Sequence, residues 1–302
     1  MGNNLKIVEN EIENKVFTKS DLMKQLSDYL AKGKAKGYEI GLGCTDNLIR
    51  FETGKVCVIT GIPQSGKTEL LNFFNMRLNQ LHEWRSVYYS PENHPIGVYL
   101  LQKLLCNYKN EYIEFKDMID SKYESDIDYL TTNFYFLNHD IIDDIDIVLK
   151  EAESLINKDK KIKVVNLDPF NSFEHQFSGH TETQYVGVFM NKLRKFASKN
   201  DVLVNLVAHP TKVKEGEKIT GNSIYGSYNF FAKTDYAYVV HRHFDSEIVD
   251  FETLKIKQKN LGSIGKYPLQ YDWKSGNYSD SFSESNELID SLEPVKDSEK
   301  KK

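Results

Sequence analysis

Two apolar patterns alternate along most of the chain. Short β-branched runs at 55–60, 85–92, 133–137, 162–168 and 202–209 read as strands. Stretches of helical period lie between them, opening at Glu69 and covering 96–108, 114–130, 141–157 and 181–198. Strands alternating with helices predict a mainly parallel sheet with both faces covered. From Tyr236 the pattern changes. Short strands at 236–241, 252–257 and 269–272, joined by turns, predict a β-rich C-terminal extension.

The two ends differ from this middle. Residues 1–19 are polar and read as a flexible N-terminus. In 20–36, Leu22, Leu26, Tyr29 and Leu30 share one helical face, Ser20 is positioned to cap it, and Gly33 and Gly37 interrupt it. A lone amphipathic helix ahead of the first strand must pack on its own domain or on a neighbour. A main α/β domain then covers 37–278. Residues 279–302 are rich in Ser, Glu, Asp and Lys, poor in apolar side chains, and read as a disordered acidic tail.

Composition narrows this only a little. With 302 residues, 40% hydrophobic and 12% aromatic, the chain can build one large α/β domain with appendages, or two small ones. The formal charge is −5, and the tail holds seven acids against four lysines, so −3 sits there and only −2 elsewhere. Net charge therefore neither supports nor excludes a nucleic-acid partner. Cys44, Cys57 and Cys106 are unclustered, lack zinc spacing and suit a reducing compartment. No apolar run is long enough for a membrane span, and no signal-peptide core opens the chain. Met1-Gly2 begins like a myristoylation site, but Lys6 stands where Ser or Thr is needed. The expectation is a soluble intracellular protein with no membrane partner.

The strongest motif is Gly61-Ile62-Pro63-Gln64-Ser65-Gly66-Lys67-Thr68, which satisfies the phosphate-loop spacing between a strand and a helix. Glycines let backbone amides curl round phosphates, and the helix N-terminus adds donors and partial positive charge. Lys67 is placed to reach the β- and γ-phosphates and Thr68 to hold Mg²⁺. Hydrolysis further needs a metal-side carboxylate and a group that positions water. Three more strand ends carry candidates: Asp168, Glu92 and His209. Each has a plainer alternative. Asp168 precedes Pro169 and could serve a turn, Glu92 could cap the next helix, and His209 could be structural.

Taken in order, the phosphate loop, Ser90-Pro91-Glu92-Asn93, Leu167-Asp168-Pro169-Phe170-Asn171, Val207-Ala208-His209-Pro210 and Lys257-Gln258-Lys259-Asn260 resemble the RecA-fold motor domain of DnaB-type hexameric replicative helicases, closest to the Twinkle and phage primase-helicase branch. Thr60-Gly61-Ile62-Pro63 and Tyr89-Ser90-Pro91-Glu92-Asn93 resemble this branch in particular. The resemblance implies a RecA-like P-loop NTPase that uses ATP or another NTP or dNTP with Mg²⁺. It implies that Glu92 is the general base, Asp168 and Thr68 hold the metal, and His209 senses the γ-phosphate. It implies single-stranded DNA contact through Lys212, Lys214 and Lys218, with 5′–3′ unwinding by a homo-oligomeric ring, expected to be a hexamer. It also implies that 20–36 is the helix linking subunits, that the acidic tail meets a DNA polymerase or primase, and that a phage-encoded chain would act in the host cytoplasm.

One position departs from the family. Lys259 stands where the family has an arginine finger that reaches the neighbouring subunit's γ-phosphate, and lysine lacks the planar bidentate fork. Either Lys259 serves as a weaker finger, Lys257 or Arg242 on the adjacent strand contributes the charge, or the motor is slow. Two other classes remain open at this point: a RecA-fold recombinase or signalling ATPase, and a helicase-derived DNA-binding or loading protein with weakened catalysis. A small-molecule kinase is disfavoured because no arginine-rich lid segment is present.

Overall fold

The computed structural model describes residues 16–142, 144–173, 181–210, 218–224 and 228–281. Nine strands form one sheet: β1 (Lys55–Thr60), β2 (Arg85–Tyr89), β3 (Phe134–Phe136), β4 (Ile162–Leu167), β5 (Leu203–Val207), β6 (Tyr236–Arg242), β7 (Ile248–Ile256), β8 (Gly265–Asp272) and β9 (Asn277–Asp280). Their order is β3-β2-β4-β5-β1-β6-β7-β8-β9. The six from β3 to β6 run parallel, and β7, β8 and β9 add on antiparallel. This is the RecA-like arrangement with a β-rich extension.

Eight α-helices accompany the sheet among the described residues: α1 (Lys19–Ala31), α2 (Gly43–Leu48), α3 (Lys67–His82), α4 (Ile96–Lys109), α5 (Glu124–Asn133), α6 (Ile145–Lys158), α7 (Glu182–Asn200) and α8 (Asn229–Lys233). Parallel strands covered on both sides need apolar residues at successive positions. Val56, Cys57, Val58 and Ile59 of β1 are all fully buried. Val56 and Val58 pack in the cluster that α6 and α7 close through Val148, Leu149, Phe189 and Leu193. Cys57 and Ile59 face the other way, into the cluster of Leu70, Phe74 and Tyr238 under α3. Burying the α3 face ties the helix that follows the phosphate loop to the middle of the sheet.

A polar network fixes that helix in register. Asn166 of β4 stands opposite Asn205 of β5, and its Oδ1 accepts from Asn205 Nδ2 at 2.9 Å and from Asn75 Nδ2 of α3 at 3.0 Å. Asn75 Nδ2 also donates to the Tyr88 hydroxyl of β2 at 2.9 Å. Buried amides need such partners.

Several boundaries differ from the sequence pattern, each for a local reason. The cap of α1 is Thr18 rather than Ser20, because Thr18 and Asp21 form a reciprocal capping box. The helical period expected over 114–130 is broken. Asp120 accepts from the Lys122 N–H and starts a short turn, so α5 begins only at Glu124. The helix expected from 141 starts at Ile145, where the Asp144 carboxylate accepts from the N–H groups of Asp146 and Ile147. The pattern also missed β9. Ser279 and Asp280 pair with Gln270 and Leu269, although the sequence reading puts them in the tail. Tyr278 anchors this edge, its ring packing at a tilt 5.5 Å from that of Phe73 and 4.9 Å from that of Tyr271. The remainder of the tail, 282–302, and residues 1–15 lie outside the described residues.

Candidate nucleotide-binding site

The loop after β1 has the backbone that its glycines allow. Gly61 has φ 155° and Gly66 φ 89°. A Cβ on Gly61 would collide with the Ser65 hydroxyl and lie 2.6 Å from the Val240 carbonyl. Gly66, left-handed, turns the chain into α3. Gln64 is also left-handed, at φ 62°. Lys67 is buried, and its ammonium donates to the carbonyls of Gly61 at 3.1 Å and Ile62 at 2.9 Å, tying the loop across itself. Burial lowers its pKa, and the nearby Asp168 and Glu92 charges oppose that shift.

Three groups from different elements meet this loop. Asp168 follows β4, is almost fully buried, and accepts from the Thr68 hydroxyl at 2.7 Å through Oδ2. Its Oδ1 is buried without a partner among the described residues, as is the Ser65 hydroxyl. Buried oxygens left open in this way fit a cation and a phosphate, since uncompensated buried polar atoms are otherwise costly. Glu92 and His209 lie just beyond the ends of β2 and β5, with Glu92 Oε1 3.7 Å from His209 Nε2. Glu92 is half-exposed, whereas His209 is three-quarters covered. Burial and the Lys67 charge push the His209 pKa down, with Glu92 pulling the other way. The imidazole is thereby held neutral near pH 7. The arrangement can take a phosphate chain, a metal and a polarised water within one cleft.

Burial raises the Asp168 carboxyl from 3.8 to about 6, the Thr68 hydrogen bond opposes this, and the Glu92 charge adds to it. Between those values the folded protein keeps a proton that the unfolded chain has released. Stability contributed by this group is therefore present below about pH 4 and falls as pH rises towards 6. The loss above pH 6 is about 3 kcal/mol. Asp168→Asn, without nucleotide or metal, is expected to gain stability over the unaltered protein between pH 4 and pH 7. Denaturant unfolding of both proteins at the two pH values checks this. A gap that stays constant would contradict it.

Basic candidates fall at two separate places. Arg242, at the carboxyl end of β6, lies on the same edge of the sheet as the phosphate loop, with its guanidinium 5.7 Å from the Phe244 ring and 5.9 Å from that of Tyr271. Lys257 and Lys259 lie on the opposite edge. Tyr236 pairs with Ile256 across β6 and β7, and Cys57 pairs with Tyr236, so the end of β7 reaches the beginning of β1. No described chain segment returns these lysines to their own phosphate loop. Lys257 bonds Asp235 at 3.1 Å, and Lys259 is exposed in a short turn, Lys259–Leu261. Lys218 pairs with Glu252 at 2.8 Å. Lys212 and Lys214 lie outside the described residues.

Sequence reasoning missed the groups beside Lys257. A cavity of about 580 Å³ opens there, with Lys55, Arg194, Lys195, Lys199 and Lys257 around Asp235. The signal was the basic face of α7 at 194, 195 and 199, which acquires meaning only once α7 is known to lie beside the start of β1.

Fold and loop geometry together define a RecA-fold phosphate-loop protein, and its resemblance to the DnaB-type motor domain on the Twinkle branch holds in both sequence and structure. The Twinkle homolog protein, chloroplastic/mitochondrial, of Arabidopsis thaliana is 28% identical over 284 residues, which take in 88% of this chain and 40% of that protein. The chain thus spans well under half the length of this curated relative. Among solved structures, one isolated ATPase domain superposes with a TM-score of 0.71 at 12% identity, covering 88% of this chain and 99% of that one. A DnaB-like replicative helicase, solved in a study of its interactions with primase, gives 0.66 at 13% identity, covering 87% and 67%. No protein-family model matches the chain. No helix among the described residues is long and apolar enough to cross a membrane.

Proposed function

We propose that this chain is the motor of an ATP-dependent DNA helicase, hydrolysing NTP between subunits of a homo-oligomeric ring, in our reading a hexamer, to move 5′–3′ along single-stranded DNA at a replication fork. The observation that carries this reading is the split of charge across one sheet. Lys67, Thr68, Glu92, Asp168 and His209 gather at the carboxyl edge, while Lys257 and Lys259 stand at the amino edge with no phosphate loop of their own to serve. A subunit that presents its amino edge to the next one completes a site that neither has alone.

In this reading the loop amides and Lys67 bind the NTP phosphates, with the Lys67 ammonium exchanging its carbonyl partners for phosphate oxygens. Thr68 and Asp168 would hold Mg²⁺, whose charge offsets that of the phosphates. Glu92 accepts the proton of the attacking water. His209, neutral and near Glu92, donates to the γ-phosphate region and passes its loss to the segment that follows Pro210, where Lys212, Lys214 and Lys218 meet the DNA backbone. Lys259 of the neighbour approaches the γ-phosphate, and the Lys257–Arg194 cavity adds positive charge beside it. Lysine in place of a guanidinium predicts slow turnover.

The exposed face of α1 supports the ring. Leu22, Leu26 and Leu30 are each about half-exposed, and α1 has no buried residue. Its apolar stripe would dock on the next subunit. We assign the acidic tail to a replication partner, polymerase or primase, and the site of action to the soluble interior of the cell.

Hydrolysis measured with and without single-stranded DNA, beside the mass of the assembly, tests the proposal. We expect DNA to raise turnover, in a particle several times the 35.0 kDa of one chain. Turnover indifferent to DNA in a monomer would point to an ATPase of the signalling type. DNA binding without any turnover would point to a loading protein derived from a helicase, the alternative that Lys259 keeps open.

A further inference from the structure

One group of chemically active side chains lies outside the machinery above. β2 and β3 are parallel neighbours, with Tyr88 beside Phe136, so the turns that leave them emerge side by side. His94 comes from the first turn, and His139 with Asp140 from the second. His94 Nδ1 and His139 Nε2 are 2.9 Å apart. Asp140 Oδ1 lies 3.8 Å from the former and 3.6 Å from the latter. The Asn138 side chain accepts from the Asp140 N–H at 3.0 Å and shapes that turn.

Two of these spacings are too long for hydrogen bonds but fit a shared ligand. Donors held at 2.0–2.1 Å on a tetrahedral ion stand roughly 3.3 Å apart, and the three distances bracket that value. The three atoms lie on a circle of radius about 2.0 Å, close to the roughly 1.9 Å that three donors on a tetrahedral ion define. Without an ion, the two imidazoles can share only one proton between the facing nitrogens. With an ion, both lone pairs and the carboxylate are used at once.

We propose that His94, His139 and Asp140 form a site for a borderline divalent transition metal of the Zn²⁺ class, separate from the Mg²⁺ position at Thr68 and Asp168. The donor set decides the class. Two imidazoles and one carboxylate suit Zn²⁺, Co²⁺ or Ni²⁺, whereas Mg²⁺ prefers an all-oxygen shell. A metal on His139 Nε2 puts the ring proton on Nδ1, which is buried without an acceptor among the described residues. Metal-bound histidines usually donate that proton, so the site is expected to bind about 10–100-fold more weakly than one whose outer partner is in place. His94 follows Glu92 by two residues, so the ion would tie the Glu92 turn to its neighbour and slow hydrolysis. That consequence rests on the Glu92 role proposed above. The site itself does not.

Binding is therefore read without nucleotide. Co²⁺ titrated into the full chain in Mg²⁺-free buffer is expected to develop visible d–d absorption at one equivalent and to lose it when Zn²⁺ is added. Changes outside the ligand shell already weaken metals by about 10–100-fold, so His94→Ala, at a half-exposed position, is expected to weaken Co²⁺ at least about a hundredfold. Asp140→Ala should act in the same direction, while Asp168→Asn should leave the absorption intact. Absence of the bands, or bands that survive His94→Ala, would overturn the site. Intact binding with unchanged hydrolysis would instead count against Glu92 as the restrained group.

Discussion

Lys67→Ala is expected to remove hydrolysis while the sheet stays folded. The ammonium is buried in the loop, between the carbonyls of Gly61 and Ile62, and no other described cation lies within the loop. Its deletion removes the one charged side chain that the loop itself brings to the phosphates, in a site where charge counts most. Losing one preorganised electrostatic contact of this kind costs about 10²–10³ in rate. The structural cost is smaller. Two carbonyls lose a donor, about 1–3 kcal/mol each at most, and neither the β1 core nor the Asn166 network is touched. Phosphate release at saturating NTP, read beside a thermal melt, separates the two effects. Turnover that persists in the folded variant would remove the phosphate loop from the chemistry.

Glu92→Gln isolates a different step. Glu92 is half-exposed and its described contact is His209 at 3.7 Å, so an isosteric amide costs the fold little. Glutamine cannot take the proton of an attacking water. General-base removal costs about 10²–10⁴, so hydrolysis should fall by that range while nucleotide affinity is retained, because the loop and Lys67 are intact. Losing the carboxylate also removes the group that raises the His209 pKa, which leaves the imidazole neutral, as the sensor role needs. Equilibrium titration with a fluorescent nucleotide, beside turnover, checks both halves. A variant that binds and turns over normally would move the base elsewhere.

Much of this was legible along the chain because it is local. β1, the phosphate loop and the start of α3 are contiguous, and each reinforces the reading of the next. The buried runs of β4 and β5 are apolar but for the paired Asn166 and Asn205, which marks covered parallel strands, and Asp168 follows β4 directly. What could not be read depends on pairing across the sequence. β9 consists of four polar-looking residues held by Tyr278 against Phe73, a contact about 200 residues away along the chain. The strand order, with β1 between β5 and β6, decides which strand ends surround the loop. The antiparallel reversal at β7 carries Lys257 and Lys259 to the far edge, and Arg194 joins them only because α7 passes the start of β1. A motif shows which residue types are present. It does not show which edge of the sheet they occupy.

Whether the two edges complete one site can be decided by mixing subunits. Glu92→Gln disables the carboxyl-edge half of a site, and Lys259→Ala disables the amino-edge half. Each variant alone should hydrolyse slowly. When the two are mixed at equal amounts and allowed to exchange, some interfaces join an intact carboxyl edge to an intact amino edge, and turnover should rise above that of either parent. A mixture that stays at the sum of its parents at every ratio, or a Lys259→Ala protein that is fully active alone, would contradict a site shared between subunits.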